Sequence, residues 1–174
     1  VGRMLKYLDD NDLAKNTIVI YSSDQGFFLG EHGWYDKRWM FEESFRMPFL
    51  ARWPGVIAPG AKPEQLIQNI DYAPTFLEIA GLEIPAEVQG RSLMSLFKGK
   101  AEGWRESLYY SYYEFGEHRV PQHFGVRTAR HKLMYFPRSK EWSLFDLKTD
   151  PHEMKSVHAE REYLKVRREL TEEF

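Results

Sequence analysis

Asp24 and Gln25 stand side by side directly after the β-branched run Thr17-Ile18-Val19-Ile20-Tyr21, and both carry side-chain oxygens. Hard divalent cations such as Ca²⁺ or Mg²⁺ take roughly six oxygen ligands, so an acid–amide pair could supply two of them. Gly26 follows and permits the close backbone approach that such a turn requires. Further on, Asp36-Lys37-Arg38 sets a compact ammonium between a carboxylate and a planar guanidinium. Lys37 can sit on a sulfate or phosphate oxygen, Arg38 can grip hydroxyls or carboxylates, and Asp36 can accept two hydrogen bonds from sugar-like hydroxyls. Residues 22–46 thus have the chemistry to hold a metal ion and an oxyanion. Each reading has a plainer alternative. Ser22-Ser23-Asp24-Gln25-Gly26 is also ordinary turn chemistry, and Asp36-Lys37-Arg38 is also an ordinary solvated charge run. His32, between glycines, reads as a structural hydrogen-bonder before it reads as a base. Asp9-Asp10 sits where a helix should end and reads as solvated.

These groups need elements to position them. Met4, Leu5 and Leu8 form an amphipathic stripe over 3–10. The run 17–21 reads as a strand buried on both faces, of the kind found in a parallel sheet, which places 22–33 in a loop at its carboxyl end. A short helix is expected around 39–45 and a strand over 48–53, closed by Pro54-Gly55. Asp71 is a candidate N-cap for a helix that runs through Ala80 and stops at Gly81. From Trp104 the texture changes. Short aromatic or β-branched runs at 107–113, 124–127, 132–136 and 142–145 predict a small antiparallel sheet, and 157–172 predicts a terminal helix.

With 174 residues, 43% hydrophobic and 16% aromatic, the chain can build a packed core. The net charge of −2 argues against nucleic-acid or membrane binding driven by gross charge, so an anionic ligand must be met by local cations. The apolar runs are too short to span a bilayer. With 0 Cys a disulfide framework is excluded. The amphipathic stripe begins at once with no initiator Met, which reads as the C-terminal piece of something longer.

The ordered motifs resemble the C-terminal part of type I sulfatases, of the alkaline-phosphatase superfamily. They are Ser23-Asp24-Gln25-Gly26, Leu29-Gly30-Glu31-His32-Gly33, Lys37, Glu42-Glu43-Ser44, Arg46-Met47-Pro48 and Pro54-Gly55. Downstream, Asp71-Tyr72-Ala73-Pro74-Thr75, Gly90-Arg91-Ser92-Leu93, Gly125-Val126-Arg127-Thr128, Lys132-Leu133, Leu144-Phe145-Asp146-Leu147 and Asp150-Pro151-His152-Glu153 are similar to further family motifs. Lys155 departs from the Asn the family often has nearby. The resemblance implies an α/β fold. Residues 1–104 would form the C-terminal portion of the large catalytic domain, and 105–174 an α+β subdomain with an antiparallel sheet and a terminal helix.

It also implies roles. Asp24 and Gln25 look like two ligands of a single Ca²⁺, with Gln in place of the more usual Asn, and Lys37 looks like the lysine that contacts the sulfate. The family's nucleophile is a formylglycine made from Cys or Ser in Cys/Ser-x-Pro-x-Arg. This chain has no Cys, and no Ser opens that pattern. The isolated chain is therefore expected to be inactive, with the N-terminal remainder of the sulfatase as its necessary partner. Relatives usually work in the periplasm, outside the cell or in lysosomes. Asp36-Lys37-Arg38 is similar to the segment of N-acetylglucosamine-6-sulfatases that binds a terminal 6-sulfated sugar. The expected substrate is accordingly a sulfated carbohydrate of glycosaminoglycan or mucin type, gripped by Asp36 and Arg38. His123 and then His118 are candidate second contacts from the segment 117–123, with surface loop histidines as the alternative. The other readings are a sulfatase for 2-O-sulfated uronic acid or aryl sulfates, a phosphatase or phosphonate hydrolase, and a non-catalytic carbohydrate-binding fragment.

Overall fold

The computed structural model describes residues 1–114, 116 and 118–174. In chain order the elements are α1 (Gly2–Asp10), β1 (Val19–Ser22), α2 (Glu42–Phe45), β2 (Phe49–Arg52), α3 (Tyr72–Ile79), α4 (Met94–Phe97), β3 (Ser107–Tyr112), β4 (His123–Thr128), β5 (His131–Phe136), β6 (Glu141–Asp146) and α5 (Leu164–Glu172). This mixed α/β chain divides into two compact units. One is Val1–Asp24 with Pro48–Trp104; the other is Gln25–Met47 with Arg105–Phe174.

In the first unit, α1 ends where Asn11 turns its side-chain amide back to the Tyr7 carbonyl at 2.8 Å. β1 pairs with β2, and the pairing is antiparallel, with Ile20 opposite Ala51 and Tyr21 opposite Leu50. The antiparallel pairing corrects the expectation of a parallel neighbour here. Side chains alternate along a strand, and a short apolar run does not reveal whether both faces are covered. Phe49 and Ala51 pack on the core of Leu93, Met94, Leu96 and Phe97, whereas Tyr21 and Leu50 stay open. Each large side chain taken into that core contributes about 1.5–3 kcal/mol.

α3 stops at Gly81, whose left-handed φ of 69° suits glycine. Its start differs from expectation, because the Asp71 side chain does not cap the helix. The carboxylate instead accepts the backbone N–H groups of Gln68 and Arg91, both at 2.8 Å. It thereby ties the turn before α3 to the segment before α4.

In the second unit, β3, β4, β5 and β6 form an antiparallel sheet in sequence order. Alternation splits its apolar residues cleanly. Val126, Leu133 and Leu144 face Leu170 of α5, whereas Met134 and Phe145 face Met40. The terminal helix is shorter than the 157–172 pattern, since Arg161–Tyr163 is a 3-10 turn. The sheet is thus buried on both faces, and residues 25–47 cover the face opposite α5. Gly125 makes room for them: a Cβ there would lie 2.6 Å from Met40 Sδ and 2.3 Å from the Leu133 carbonyl oxygen.

Candidate functional site

Segment 25–47 is held from beneath. Phe28 is wholly buried, and its N–H donates to the Asp36 carbonyl at 2.7 Å, which closes the loop between them. Inside that loop Gly30 and Gly33 adopt positive φ. His32 stacks on Phe41, with centroids 4.3 Å apart, and its Nε2 lies 3.4 Å from Glu43 Oε2. Its place is therefore structural.

Asp24 closes the opening segment of the first unit and is exposed. Its backbone carbonyl accepts Asn69 Nδ2 at 3.5 Å. Gln25 opens the other unit's loop and donates from Nε2 to Ser44 Oγ at 3.2 Å, which orients the amide. Gly26 N–H donates to the Ser44 carbonyl at 2.9 Å, and a Cβ on Gly26 would stand 2.2 Å from the Glu43 carbonyl oxygen. The chain must carry glycine here because its backbone lies directly on α2. No group of three or more His, Cys, Asp or Glu that could hold a metal forms among the described residues. Asp24 and Gln25 contribute two side-chain oxygens at this turn.

Asp36 and Arg38 pair with each other through Oδ1 and the guanidinium, on either side of Lys37. The Arg38 carbonyl accepts the Tyr110 hydroxyl at 2.9 Å, and burial raises the Tyr110 pKa, so this phenol stays a donor. Among the described residues no ion pair engages Lys37, which is half-buried. Lys37 thus stands in sequence between a carboxylate and a guanidinium that are paired with each other.

The two candidate histidines part company. His123 has no exposed surface. Its Nδ1 lies 2.9 Å from the Pro121 carbonyl, its Nε2 accepts the Met40 N–H at 3.2 Å, and its ring stacks on Trp39. Burial lowers its pKa, so the ring is neutral, with Nδ1–H donating and Nε2 accepting. The expectation of a direct sugar contact gives way here: both nitrogens serve the fold and fix Trp39-Met40. His118 is exposed, at a left-handed φ of 54°, with its Nε2 4.0 Å from Glu114 Oε2. Glu117, the first residue of that segment, lies outside the described residues.

Sequence reasoning missed the cluster that anchors α2. Lys132 is fully buried, with Nζ 2.9 Å from Glu42 Oε1 and 2.7 Å from Glu153 Oε1. Arg127 reaches Glu42 Oε2 at 3.1 Å. Burial opposes ionisation of Glu42, but Lys132 and Arg127 outweigh it and lower its pKa; for Glu153 burial prevails and raises it. The available signal was the recurrence of Glu42, Arg127, Lys132 and Glu153 inside separate motifs, four charges that a shared burial would unite.

The profile of the family described as "N-sulphoglucosamine sulphohydrolase, C-terminal" matches residues 30–174. The chain is 45% identical to an N-acetylglucosamine-6-O-sulfatase of Bacteroides thetaiotaomicron, over 98% of this chain and 31% of that protein. It is 32% identical to an arylsulfatase of Clostridium perfringens, over 94% of this chain and 34% of that one. It superposes with a TM-score of 0.92, at 45% identity, on a protein solved in complex with its substrate D-glucosamine-2-N,6-O-disulfate, covering 98% of this chain and 36% of the other. The chain thus spans about a third of the length of the proteins it matches.

Proposed function

On the premise that this chain belongs to the N-sulphoglucosamine sulphohydrolase C-terminal family of sulfatases, we propose that it is part of a sulfuric ester hydrolase acting on 6-O-sulfated N-acetylglucosamine in glycans. The observation that carries this reading is the run Asp36-Lys37-Arg38 on an anchored loop, with its carboxylate and guanidinium paired to each other. The 45% identity to an N-acetylglucosamine-6-O-sulfatase supports the choice of sugar.

In this reading Lys37 meets a sulfuryl oxygen and stabilises the negative charge that grows as the sulfur–oxygen bond breaks. Asp36 accepts hydrogen bonds from ring hydroxyls and Arg38 donates to them, so the ring is oriented with its sulfate on Lys37. Of the two histidines, the exposed His118 is kept as the second sugar contact. Asp24 and Gln25 suit a hard cation, since both offer oxygens and the Gln25 amide is oriented by Ser44. They would be two ligands of Ca²⁺, which supplies Lewis-acid stabilisation of the sulfuryl oxygens when bound. The formylglycine of such enzymes has no Cys or Ser-x-Pro precursor in these residues, so the 174 residues alone are proposed to be inactive. The family suggests an extracytoplasmic place of work.

The test is sulfate release by the full-length protein with Ca²⁺ on N-acetylglucosamine 6-sulfate and on D-glucosamine-2-N,6-O-disulfate. Loss of the 6-O-sulfate, with the N-sulfate retained and activity abolished by Lys37→Ala, is the expected result. Release of the N-sulfate, or of sulfate only from uronic acid or aryl esters, overturns the choice of substrate. Silence on every sulfate ester overturns the enzyme.

A further inference from the structure

The loop that carries Asp36-Lys37-Arg38 also carries two rings that this chemistry does not use. Phe27 is 44% exposed and Tyr35 is 74% exposed, and they meet edge to face with centroids 5.2 Å apart. Exposed apolar residues scattered singly need no explanation, but a contacting aromatic pair on an ordered segment does. The order comes from below. Between the two rings Phe28 is wholly buried and bonds through its N–H to the Asp36 carbonyl, and the Leu29 N–H is taken by Glu31 Oε2 at 2.6 Å. The 3-10 turn is closed by Gly33 N–H on the Gly30 carbonyl at 3.1 Å. The two rings thus stand on a loop whose backbone is fixed from below, and both remain open to solvent.

Tyr35 is bonded to Asp36, so an apolar platform and a hydroxyl-binding carboxylate follow one another along the chain. A ligand suited to both must have an apolar face and a polar edge. A pyranose has this pair: its axial C–H bonds form a weakly positive face that matches the negative face of an aromatic ring, and its hydroxyls lie around the rim. We infer that Phe27 and Tyr35 form a stacking platform for the pyranose linked to the sulfated residue, so that the site reads a disaccharide rather than a lone sugar. This rests on the reading of Asp36 and Arg38 as contacts to the sulfated ring. The ring of Tyr35 does the stacking, and its hydroxyl is dispensable.

The experiment uses the full-length protein with Ca²⁺ and compares N-acetylglucosamine 6-sulfate with a disaccharide that carries that residue at its non-reducing end. Wild type should prefer the disaccharide by about tenfold in kcat/KM, the size of one aromatic contact. The Phe27→Ala/Tyr35→Ala double variant should bring that ratio near one, and Tyr35→Phe should restore most of it. A wild type with no preference, or a double variant that keeps the full preference, overturns the platform; the second result is also what a pair covered by the rest of the protein would give. Titration calorimetry with the same two sugars separates this inference from the activity. Tighter disaccharide binding that the double variant abolishes supports the platform even if no sulfate is released. Equal binding of the two sugars overturns it.

Discussion

The backbone N–H of Glu42 donates to the carboxylate of Glu153 at 2.7 Å, although 111 residues separate them. Glu42 is the first residue of α2, where helix N–H groups have no partner of their own, so a side chain from beyond the last strand supplies the cap. Lys132 from β5 bridges the same two carboxylates, and Arg127 from β4 closes on Glu42. The segment that ends in α2 is the one that carries Lys37. The sheet therefore fixes the far end of the candidate site through charge as well as through Met40.

Lys132→Met should destabilise the full-length protein by about 3–5 kcal/mol, because it leaves two buried carboxylates without their shared cation. Glu153→Gln should cost clearly less. Burial already disfavours the ionised form of Glu153, and the amide still accepts the Glu42 N–H. Urea unfolding of both variants checks the ordering; equal losses would show that the cluster is not held by Lys132.

Acid should weaken the fold through Asp146. The Arg130 guanidinium, then the Tyr163 hydroxyl and the Lys148 N–H, hold its pKa far below the usual carboxylate range despite burial. A depressed carboxylate contributes stability above its unfolded pKa of 3.8 and loses it as pH falls through the folded value. Glu42, also lowered, acts in the same direction. Glu153, raised, acts in the opposite one, its contribution present below its unfolded 4.5 and lost as pH rises. Two lowered groups against one raised give a net fall below about pH 4.5. Melting temperatures from pH 7 to pH 2 should decline on that limb. Asp146→Asn should melt lower at neutral pH and flatten the decline, and an unchanged acid slope would remove Asp146 from the account.

Gly26→Ala should distort the loop. Its Cβ would meet the Glu43 carbonyl oxygen at 2.2 Å and the Ser44 carbonyl oxygen at 2.8 Å, and both are backbone atoms that cannot rotate away as a side chain would. A cost of about 1–3 kcal/mol is expected, together with loss of the Ca²⁺-dependent rise in melting temperature that a bound ligand confers. Retention of that rise would dissociate Gly26 from the proposed cation site.

His123→Phe keeps the ring but removes the acceptor for the Met40 N–H, an unsatisfied buried donor that costs about 1–3 kcal/mol. A direct sugar contact would behave differently, raising KM with little change in stability. Chemical denaturation alongside steady-state kinetics separates the two, and a KM effect at unchanged stability would return His123 to the substrate.

The four strands of the sheet were legible because each is short, aromatic or β-branched, and punctuated by turn residues. α3 and its stop at Gly81 were legible from the residue types at its two ends, although the Asp71 side chain bonds elsewhere than to the helix. The apolar run at 17–21 was legible as a strand, but hydrophobicity alone did not reveal that it pairs antiparallel with β2. Asp36, Lys37 and Arg38 could be picked out by type, but not the ion pair that locks Asp36 to Arg38. His123 was singled out as a polar residue in a loop, whereas it opens β4 with its nitrogens turned inward. Lys132 and Glu153 were passed over because charge in a sequence normally signals solvent, and only the packed sheet reveals that these two are buried together.

The Asp36–Arg38 pair should behave as one unit in the full-length protein. Each side chain is about a quarter exposed and each orients the other, while the Arg38 backbone is fixed by Tyr110. Arg38→Lys keeps the charge but loses the planar fork that can hold Asp36 and a hydroxyl together. Asp36→Asn keeps the shape but loses the charge that anchors the guanidinium. Each single variant should lower kcat/KM on N-acetylglucosamine 6-sulfate by about 10- to 100-fold, equivalent to the loss of a charge-assisted hydrogen bond. The double variant should be little worse than the poorer single one, because the second change removes a group already out of place. Full multiplication of the two losses would mean that Asp36 and Arg38 act on the substrate independently, and that their pairing is not what shapes the site.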